Sequence, residues 1–359
     1  MEIQGLLFIP DISGFTRFVG ETEIEHSRLI IQELLEVLIN ANQMGLEVSE
    51  IEGDAILFYR FGEVPSLEQV YRQVEKTFCE FHRHLLAYDH HRYCYCKACN
   101  AAIDLTLKVV THYGEFTGYT VRNFNKLIGK DVIVAHRLLK NEIEQHEYWL
   151  VTATLAGPER PPASFARWMQ WRSGAKRTES GEIPFHYTQL GQLRSEVRPE
   201  PFPQLELASK TRVLSVSREY ETDIRTLLHA TGDFKYRSRW QEGVRSVEEV
   251  GHFLPRVGMK CRCVMEDGEV ILYASSYSFS PEKVTFSETD EKKKSSTYFT
   301  LEKTGQKQTR LTIDCYLKKN LARQAWFALV GKGRMQESYR KSLLNLEGLA
   351  KEITLPPCE

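Results

Sequence analysis

Two aspartates beside glycine-containing turns are the residues of this sequence best suited to chemistry. Asp11 follows the apolar run of residues 5–9, which is typical of a buried strand, and a helical pattern begins a few residues later. Asp54 follows Gly53 at the turn of a predicted β-hairpin. A single carboxylate after a strand usually caps a helix. If the two strands are neighbours, however, the carboxylates converge, and such oxygen ligands suit Mg²⁺ or Mn²⁺ bound together with substrate phosphates.

The segment that follows Asp11 could bind those phosphates through its backbone. Gly14 permits close approach of the main chain to a ligand. The backbone N–H groups that would hold phosphate oxygens belong to Ser13, Gly14, Phe15 and Thr16. Two metal ions held beside them would activate an attacking hydroxyl and neutralise a leaving pyrophosphate.

Apolar periodicity predicts the elements that position this site. Residues 23–44 and 66–89 have the pattern of amphipathic helices. Residues 102–121 alternate as a strand, for which we predict a turn near Tyr113-Gly114, and residues 126–143 read as a loop followed by a helix.

Length, charge and composition narrow the classes of protein to which this chain could belong. The chain has 359 residues, and one domain per ~150 residues predicts two domains. A net charge of −1 argues against broad electrostatic capture of nucleic acid or an anionic membrane. The absence of a long apolar run predicts no membrane span, and the interrupted first run predicts no signal peptide. We therefore expect a cytoplasmic protein whose eight cysteines are mostly reduced.

Four motifs in the first half resemble the catalytic domain of class III nucleotidyl (adenylate/guanylate) cyclases. "FIPDISGFT" and "EGDAILF" resemble the metal-binding segments of that family, and "VVTHYGEF" and "LIGKDVIVAHRLL" resemble two later segments. The resemblance covers roughly residues 1–190 and implies an α+β fold, a ferredoxin-like α/β sandwich. It also implies conversion of a nucleoside triphosphate to a 3′,5′-cyclic nucleotide and pyrophosphate in a homodimer whose sites lie across the interface.

Carried over residue by residue, the resemblance assigns the metal and phosphate ligands. Asp11 and Asp54 match the metal-binding aspartates, and the carbonyl of Ile12 would be a further ligand. Arg137 matches the arginine that stabilises charge on the triphosphate, although by itself it would be a surface residue of a helix. Lys176 is a weak match to a late phosphate-binding lysine.

The base-binding positions depart from the family pattern. Glu50 falls on a position that selects guanine, and Lys126 matches neither the common adenine nor the common guanine pattern. The two side chains could read a base edge or pair with each other, and Glu50 alone would be a solvent-facing strand residue. The asparagine of the family falls on Ile133, which cannot hydrogen-bond. Losing one such donor costs roughly 10²–10³ in rate by analogy with other transition-state donors.

The sequence "CYCKAC" has no counterpart in those motifs. Cys94, Cys96 and Cys99 offer three of the four ligands of a tetrahedral zinc site, but no fourth ligand stands out from the sequence. Reactive thiols and ordinary packing are the alternatives.

The second half resembles the START-like superfamily (SRPBCC, polyketide-cyclase-like), whose helix-grip fold wraps a curved sheet around a long helix. Residues 258–316 alternate as a strand meander, and residues 320–352 form a predicted closing helix. The resemblance implies a cavity for an apolar ligand, although the aromatic side chains could simply fill a core. Those side chains are Trp240, Phe253, Tyr273, Tyr277, Phe299 and Trp326. The predicted domains are 1–195 and 207–359, with a Pro-rich linker at 196–206.

Two functions fit these patterns. In one, the protein is a nucleotidyl cyclase that an apolar ligand regulates. In the other, it is a sensor that binds nucleotide and metal with weak or no turnover. A third interpretation is a lipid-handling protein with an N-terminal dimerisation scaffold.

Overall fold

The computed structural model describes most of the chain. The described residues are 3–92, 94, 96–122, 124–159, 161, 165–178, 181–198, 207–250, 257–266, 268–319 and 331–355. They form two compact units, one of residues 1–87 and 101–199, the other of residues 88–100 and 200–359. The protein is therefore a mixed α+β protein with one large sheet in each unit.

The first unit alternates strands and helices. Its strands are β1 (Ile3–Ser13), β2 (Glu47–Glu52), β3 (Ala55–Phe61), β4 (Thr106–Val121), β5 (Phe124–Ile128), β6 (Tyr148–Thr152), β7 (Arg172–Thr178) and β8 (Gly181–Gln189). The helices of this part of the chain are α1 (Phe15–Glu21), α2 (Ile24–Asn40), α3 (Leu67–His91), α4 (Lys97–Ala101), α5 (Lys130–Leu139), α6 (Ala153–Ala156) and α7 (Gly191–Glu196). The predicted helices at 23–44 and 66–89 and the hairpin at Gly53-Asp54 are confirmed.

The first sheet has the strand order β2-β3-β1-β4-β6-β8-β7, and β5 pairs with β4 outside that path. The strand β1 lies between β3 and β4 and is antiparallel to both. The pair of β4 and β6 is parallel, and the connection between these two strands carries α5. Parallel neighbours need such a crossover, and it brings α5 against the sheet.

The predicted turn at Tyr113-Gly114 is wrong. β4 continues through both residues, and the chain reverses at Arg122, which has a φ of +55°. Gly114 serves a different purpose, because a Cβ atom there would lie 2.3 Å from Cγ of Asp131. The glycine therefore permits close approach of α5 to the strand, a tertiary requirement that local turn statistics do not contain.

The second unit contains an antiparallel sheet with strand order β10-β11-β12-β13-β14-β15-β9. Its strands are β9 (Lys210–Tyr220), β10 (Val244–Glu249), β11 (Lys260–Met265), β12 (Gly268–Phe279), β13 (Lys283–Asp290), β14 (Ser295–Gly305) and β15 (Gln308–Lys318). Its further helices are α8 (Ile224–Gly232), α9 (Arg237–Trp240) and α10 (Lys332–Glu352). The α10 side chains Leu343, Leu346 and Leu349 pack into the same core as the sheet.

The aromatic residues predicted to line a cavity have different locations. Trp240, Tyr277 and Phe299 are buried in the core of the second unit, as the packing alternative predicts, and Tyr273 is half-buried. Phe253 and Trp326 lie outside the described residues, as do residues 199–206 of the predicted linker and residues 320–330 of the predicted closing helix. Within the described parts of the chain, no helix has the length and apolar character needed to cross a membrane.

Candidate metal and nucleotide site

The two predicted metal-binding aspartates lie side by side at one end of the central strands. Asp11 stands opposite Ala55 in the register of β1 and β3, directly after the turn that carries Asp54. The backbone N–H of Ile12 donates a hydrogen bond of 3.0 Å to the carbonyl of Asp54. Gly53, with a φ of +60°, allows the tight turn that places Asp54 there.

Neither carboxylate is well solvated. Burial raises the pKa of Asp11, although the nearby ammonium group of Lys108 partly opposes this shift. Burial and the negative charge of Asp11 raise the pKa of Asp54 to about 6. A bound cation would stabilise this arrangement, in which the charge of the buried Asp11 disfavours ionisation of the neighbouring, half-buried Asp54.

Asp11 and Asp54 line a cavity of about 760 Å³. Residues 13–16, the predicted phosphate-binding segment, line the same cavity. The hydroxyl of Ser13 is buried there and has no hydrogen-bond partner among the described residues. Gly14 adopts a φ of +93° at the start of α1, a conformation that other residues rarely take. An unsatisfied polar atom beside two acidic groups fits a site that is completed by a polar ligand.

The helix α5 supplies another wall of this cavity. Within a single chain, the cavity is lined by the two aspartates and by Ile133, His136 and Arg137 of α5. Gly129 holds the start of the helix close to β4, since a Cβ atom there would lie 2.8 Å from the carbonyl oxygen of Glu115. The Ile133 side chain is 57% exposed, so it does not fill the core.

The predicted base-binding residues contact each other. The ammonium group of Lys126 donates a hydrogen bond to Oε2 of Glu50. Nε2 of His136 lies 3.7 Å from Oε1 of the same carboxylate. Glu50 lines the cavity, whereas Lys126 is not one of the lining residues and contacts Glu50 through this ion pair. Of the two alternatives for this pair, mutual pairing is the one found.

Two further predicted residues lie away from the cavity lining. The Ile12 side chain is buried in the core, so only its backbone could face a ligand. Lys176 lies on β7, the last strand in the path of the sheet, and does not belong to the residues that line the cavity.

Sequence reasoning missed several basic residues of the site. Lys108, Lys140, His146 and Arg17 line the cavity together with the predicted residues. The Lys108 ammonium group lies 3.2 Å from Oδ1 of Asp11. The only sequence signal for Lys108 is a charged residue within an otherwise apolar strand, "LTLKVV".

The cysteine motif forms a separate cluster. Cys94, Cys96 and Cys99 each place their sulfur atom within 4.8 Å of the other two. Hydrogen bonds with the Cys96 and Cys99 thiols, together with burial, raise the pKa of Cys94 well above its ordinary value.

Sequence comparison matches part of the chain to uncharacterised proteins. Residues 31–148 match a family described as "Protein of unknown function (DUF2652)". The chain is 36% identical over 126 residues to "Uncharacterized protein Rv2561/Rv2562" of Mycobacterium tuberculosis (strain ATCC 25618 / H37Rv). That match covers 34% of this chain and 58% of the relative, so it spans little more than half of the curated protein.

About half of the chain is similar in structure to cyclase catalytic domains. One is the catalytic core of a rhodopsin-guanylyl cyclase with converted specificity in complex with ATPαS, at 14% identity and a TM-score of 0.38, covering 52% of this chain and 96% of that one. Another is the adenylyl cyclase CyaB from P. aeruginosa, at 15% identity and a TM-score of 0.34, covering 52% and 94%. A bacterial light-regulated adenylyl cyclase gives 17% identity and a TM-score of 0.39, covering 55% and 57%. Because these TM-scores are low, the similarity supports no argument about function. Such an argument rests on the side chains that line the cavity.

Proposed function

We propose that the first unit binds a nucleoside triphosphate with Mg²⁺ or Mn²⁺ and converts it slowly to a 3′,5′-cyclic nucleotide and pyrophosphate. The observation that carries this proposal is the adjacent pair of poorly solvated carboxylates, Asp11 and Asp54, facing a cavity whose other wall presents Arg137. Acidic ligands for cations and a guanidinium for phosphate are the groups that such a substrate needs.

The residues of the cavity fit a divalent cation. Asp11, Asp54 and the Ile12 carbonyl would hold it, and the Ser13 hydroxyl, which has no partner in the described part of the chain, would be available to a ligand. When bound, the metal would supply activation of the 3′-hydroxyl and neutralisation of charge on the phosphates. The chain itself would hold phosphate oxygens with the backbone of residues 13–16 and offset developing charge with Arg137.

The Glu50–Lys126 ion pair and Ile133 favour a second candidate, a nucleotide-binding sensor with little or no turnover. Because Glu50 is engaged by Lys126 and lies near His136, base binding requires these contacts to rearrange. Ile133 offers no hydrogen bond at the position where the resembling family has an asparagine. Under this alternative the same residues bind metal and nucleotide, and the product is absent.

We further propose that the domains divide at the Pro-rich segment 196–206 and that the second unit is a START-like domain for an apolar ligand. The seven-stranded antiparallel sheet packed with the long helix α10 supports this fold. A cytoplasmic location and a homodimer complete the proposal.

The test is incubation of the full-length protein with each of the four ribonucleoside triphosphates and Mn²⁺, with products identified by mass spectrometry. We expect one cyclic nucleotide from the wild type and none from Asp54→Asn. Equal product from both proteins would refute the assignment of the site. Nucleotide binding without product from the wild type would establish the sensor in place of the enzyme.

A further inference from the structure

A second cavity, of about 650 Å³, adjoins the cavity of Asp11 and Asp54 within the first unit. The residues that line both cavities form a shared boundary and are Ser13, Gly14, Arg17 and His146. We propose that this boundary binds inorganic pyrophosphate and that the second cavity is the path by which the anion leaves. Only the source of the pyrophosphate, cyclisation of a nucleoside triphosphate, rests on the proposed function.

Ser13 is the buried donor of the shared boundary. Its side chain is 8% exposed, and its hydroxyl has no hydrogen-bond partner in the described part of the chain. Because an unpaired buried hydroxyl is unfavourable, we expect a ligand to supply the missing acceptor. Ser13 lines both cavities, so that acceptor would lie where they meet.

Two further donors belong to the same boundary. Arg17 of α1 and His146, which precedes β6, are exposed, and neither side chain forms a hydrogen bond or ion pair with the residues that the structure describes. A guanidinium offers five N–H donors and binds phosphate oxygens in pairs, and a neutral imidazole adds one donor. Gly14 adds no side chain that would fill the space between them.

This donor set suits an anion that carries many oxygens. One phosphoryl group can accept hydrogen bonds from the hydroxyl, the guanidinium and the imidazole together, whereas a carboxylate has two oxygens to share among them. Pyrophosphate has a second phosphoryl group. It can therefore stay bound at the boundary while its other end extends into the second cavity, which a single phosphate cannot do.

The remaining wall of the second cavity favours release of the anion over its retention. Asp104 and Glu147 line this cavity and do not line the first one. The charge of Glu147 is offset by Arg194, whose Nη1 lies 3.2 Å from Oε1 of Glu147. Asp104 is exposed and forms no ion pair within the described residues. Its negative charge would repel pyrophosphate beyond the boundary and so shorten the time for which the product stays bound.

The test is isothermal titration calorimetry of the full-length protein with pyrophosphate in the presence of Mg²⁺. We expect Arg17→Gln to weaken pyrophosphate binding about tenfold, because it removes a charge-assisted contact. The matched control is Arg167→Gln, at an exposed arginine that lines neither cavity, and it should bind as the wild type does. No binding by the wild type, or equal binding by Arg17→Gln, would overturn the proposal.

Inorganic phosphate and sulfate serve as separate arms of the same titration. We expect both to bind the wild type more weakly than pyrophosphate does, since neither spans the boundary and the second cavity. Sulfate binding as tight as that of pyrophosphate would show only general attraction of anions to basic side chains, and would refute a pyrophosphate site.

Ser13→Ala provides an independent measurement. Without ligand, this variant should have a Tm at least as high as that of the wild type, because it removes an unpaired buried hydroxyl, while its pyrophosphate binding should weaken about fivefold. A lower Tm together with unchanged binding would mean that Ser13 is structural and would contradict its role in the site.

The assay for cyclic nucleotide separates this inference from the proposed function. Wild-type protein that binds pyrophosphate through Arg17 but forms no cyclic nucleotide would support the anion site and refute the reaction as its source. Cyclic nucleotide formation without measurable pyrophosphate binding would refute the anion site alone.

Discussion

The ammonium nitrogen of Lys108 lies 3.2 Å from Oδ1 of Asp11, across the register of two neighbouring strands. The same nitrogen donates a hydrogen bond of 3.4 Å to the carbonyl oxygen of Leu139 at the end of α5. The proposed metal site therefore contains an internal cation beside one of its two carboxylates. A divalent ion at Asp11 has to compete with it.

Replacing this lysine should strengthen metal binding. We expect Lys108→Met to raise the affinity for Mn²⁺ about tenfold, because the variant keeps a similar stem and removes the competing charge. Isothermal titration calorimetry with Mn²⁺ measures this directly. Lys140→Met is the matched control, since Lys140 lines the same cavity and is exposed. Weaker Mn²⁺ binding by Lys108→Met would mean that Lys108 orders Asp11 for the metal.

Asp54 should destabilise the metal-free fold at neutral pH. Its folded pKa of about 6 exceeds its ordinary value of 3.8, so the folded state binds the proton more tightly than the unfolded state does. The stability from this proton is fully present below about pH 4 and is lost as the pH rises to about 6. Asp54→Asn should therefore stabilise the protein at pH 7.5 by about 1 kcal/mol, after discounting for partial solvation, and by less at pH 4.5.

Thermal unfolding at the two pH values, with and without Mn²⁺, measures this effect. Mn²⁺ should raise the Tm of the wild type and leave that of Asp54→Asn nearly unchanged. The control is Asp104→Asn at an exposed aspartate, which should behave as the wild type does. A lower Tm for Asp54→Asn at pH 7.5 would contradict the assigned electrostatics.

Restoring a hydrogen-bonding side chain on α5 should raise turnover. We expect Ile133→Asn to increase cyclic nucleotide formation by roughly 10²-fold, because it supplies a donor beside the proposed triphosphate site. Rates of product formation at saturating nucleotide and Mn²⁺ test this. Ile128→Asn is a matched control, since both isoleucines are 57% exposed and Ile128 does not line the cavity. Equal effects of the two substitutions would exclude a specific role for position 133.

The second unit contains a buried ion pair, which we expect to contribute to its stability. Nη1 of Arg237 lies 2.9 Å from Oε2 of Glu288, and both side chains are buried in the interior. We expect Arg237→Met to lower the free energy of unfolding by about 3–5 kcal/mol, since it leaves Glu288 charged and unpaired. Arg237→Met combined with Glu288→Gln should recover part of that loss.

Urea denaturation of the full-length variants gives these free energies. Arg310→Met is the control and removes an exposed ion pair. Nη2 of Arg310 lies 2.7 Å from Oε1 of Glu219, and both side chains are about half exposed. It should cost less than about 1 kcal/mol. Similar losses for Arg237→Met and Arg310→Met would show that burial does not govern the strength of the inner pair.

Local sequence patterns predicted the elements that position Asp11 and Asp54 in the wall of the cavity. The apolar periodicity of α2 and α3 and the glycine turn at Asp54 are short-range signals, so the sequence alone suffices for them. The adjacency of Asp11 and Asp54 was also predictable, because Asp11 lies near the end of β1 and Asp54 lies in the turn that precedes β3.

The pairing register between strands that are distant in sequence could not be predicted from those local patterns. Alternation places Lys108 on a strand but does not say that it faces Asp11. The purpose of Gly114 depends on Asp131, which lies on a different element. Each of these relations is a tertiary contact without a local signature.

The crossover between the parallel strands β4 and β6 has an evolutionary consequence. Asp11 lies on β1 and Asp54 lies in the turn between β2 and β3, whereas Ile133 and Arg137 belong to α5 between β4 and β6. Exposed positions on that helix can change without disturbing strand pairing, while Asp11 lies within the sheet register and Asp54 in the turn of the β2–β3 hairpin. Under the proposed function, substitutions at those helix positions would change nucleotide preference and rate without displacing the proposed metal ligands.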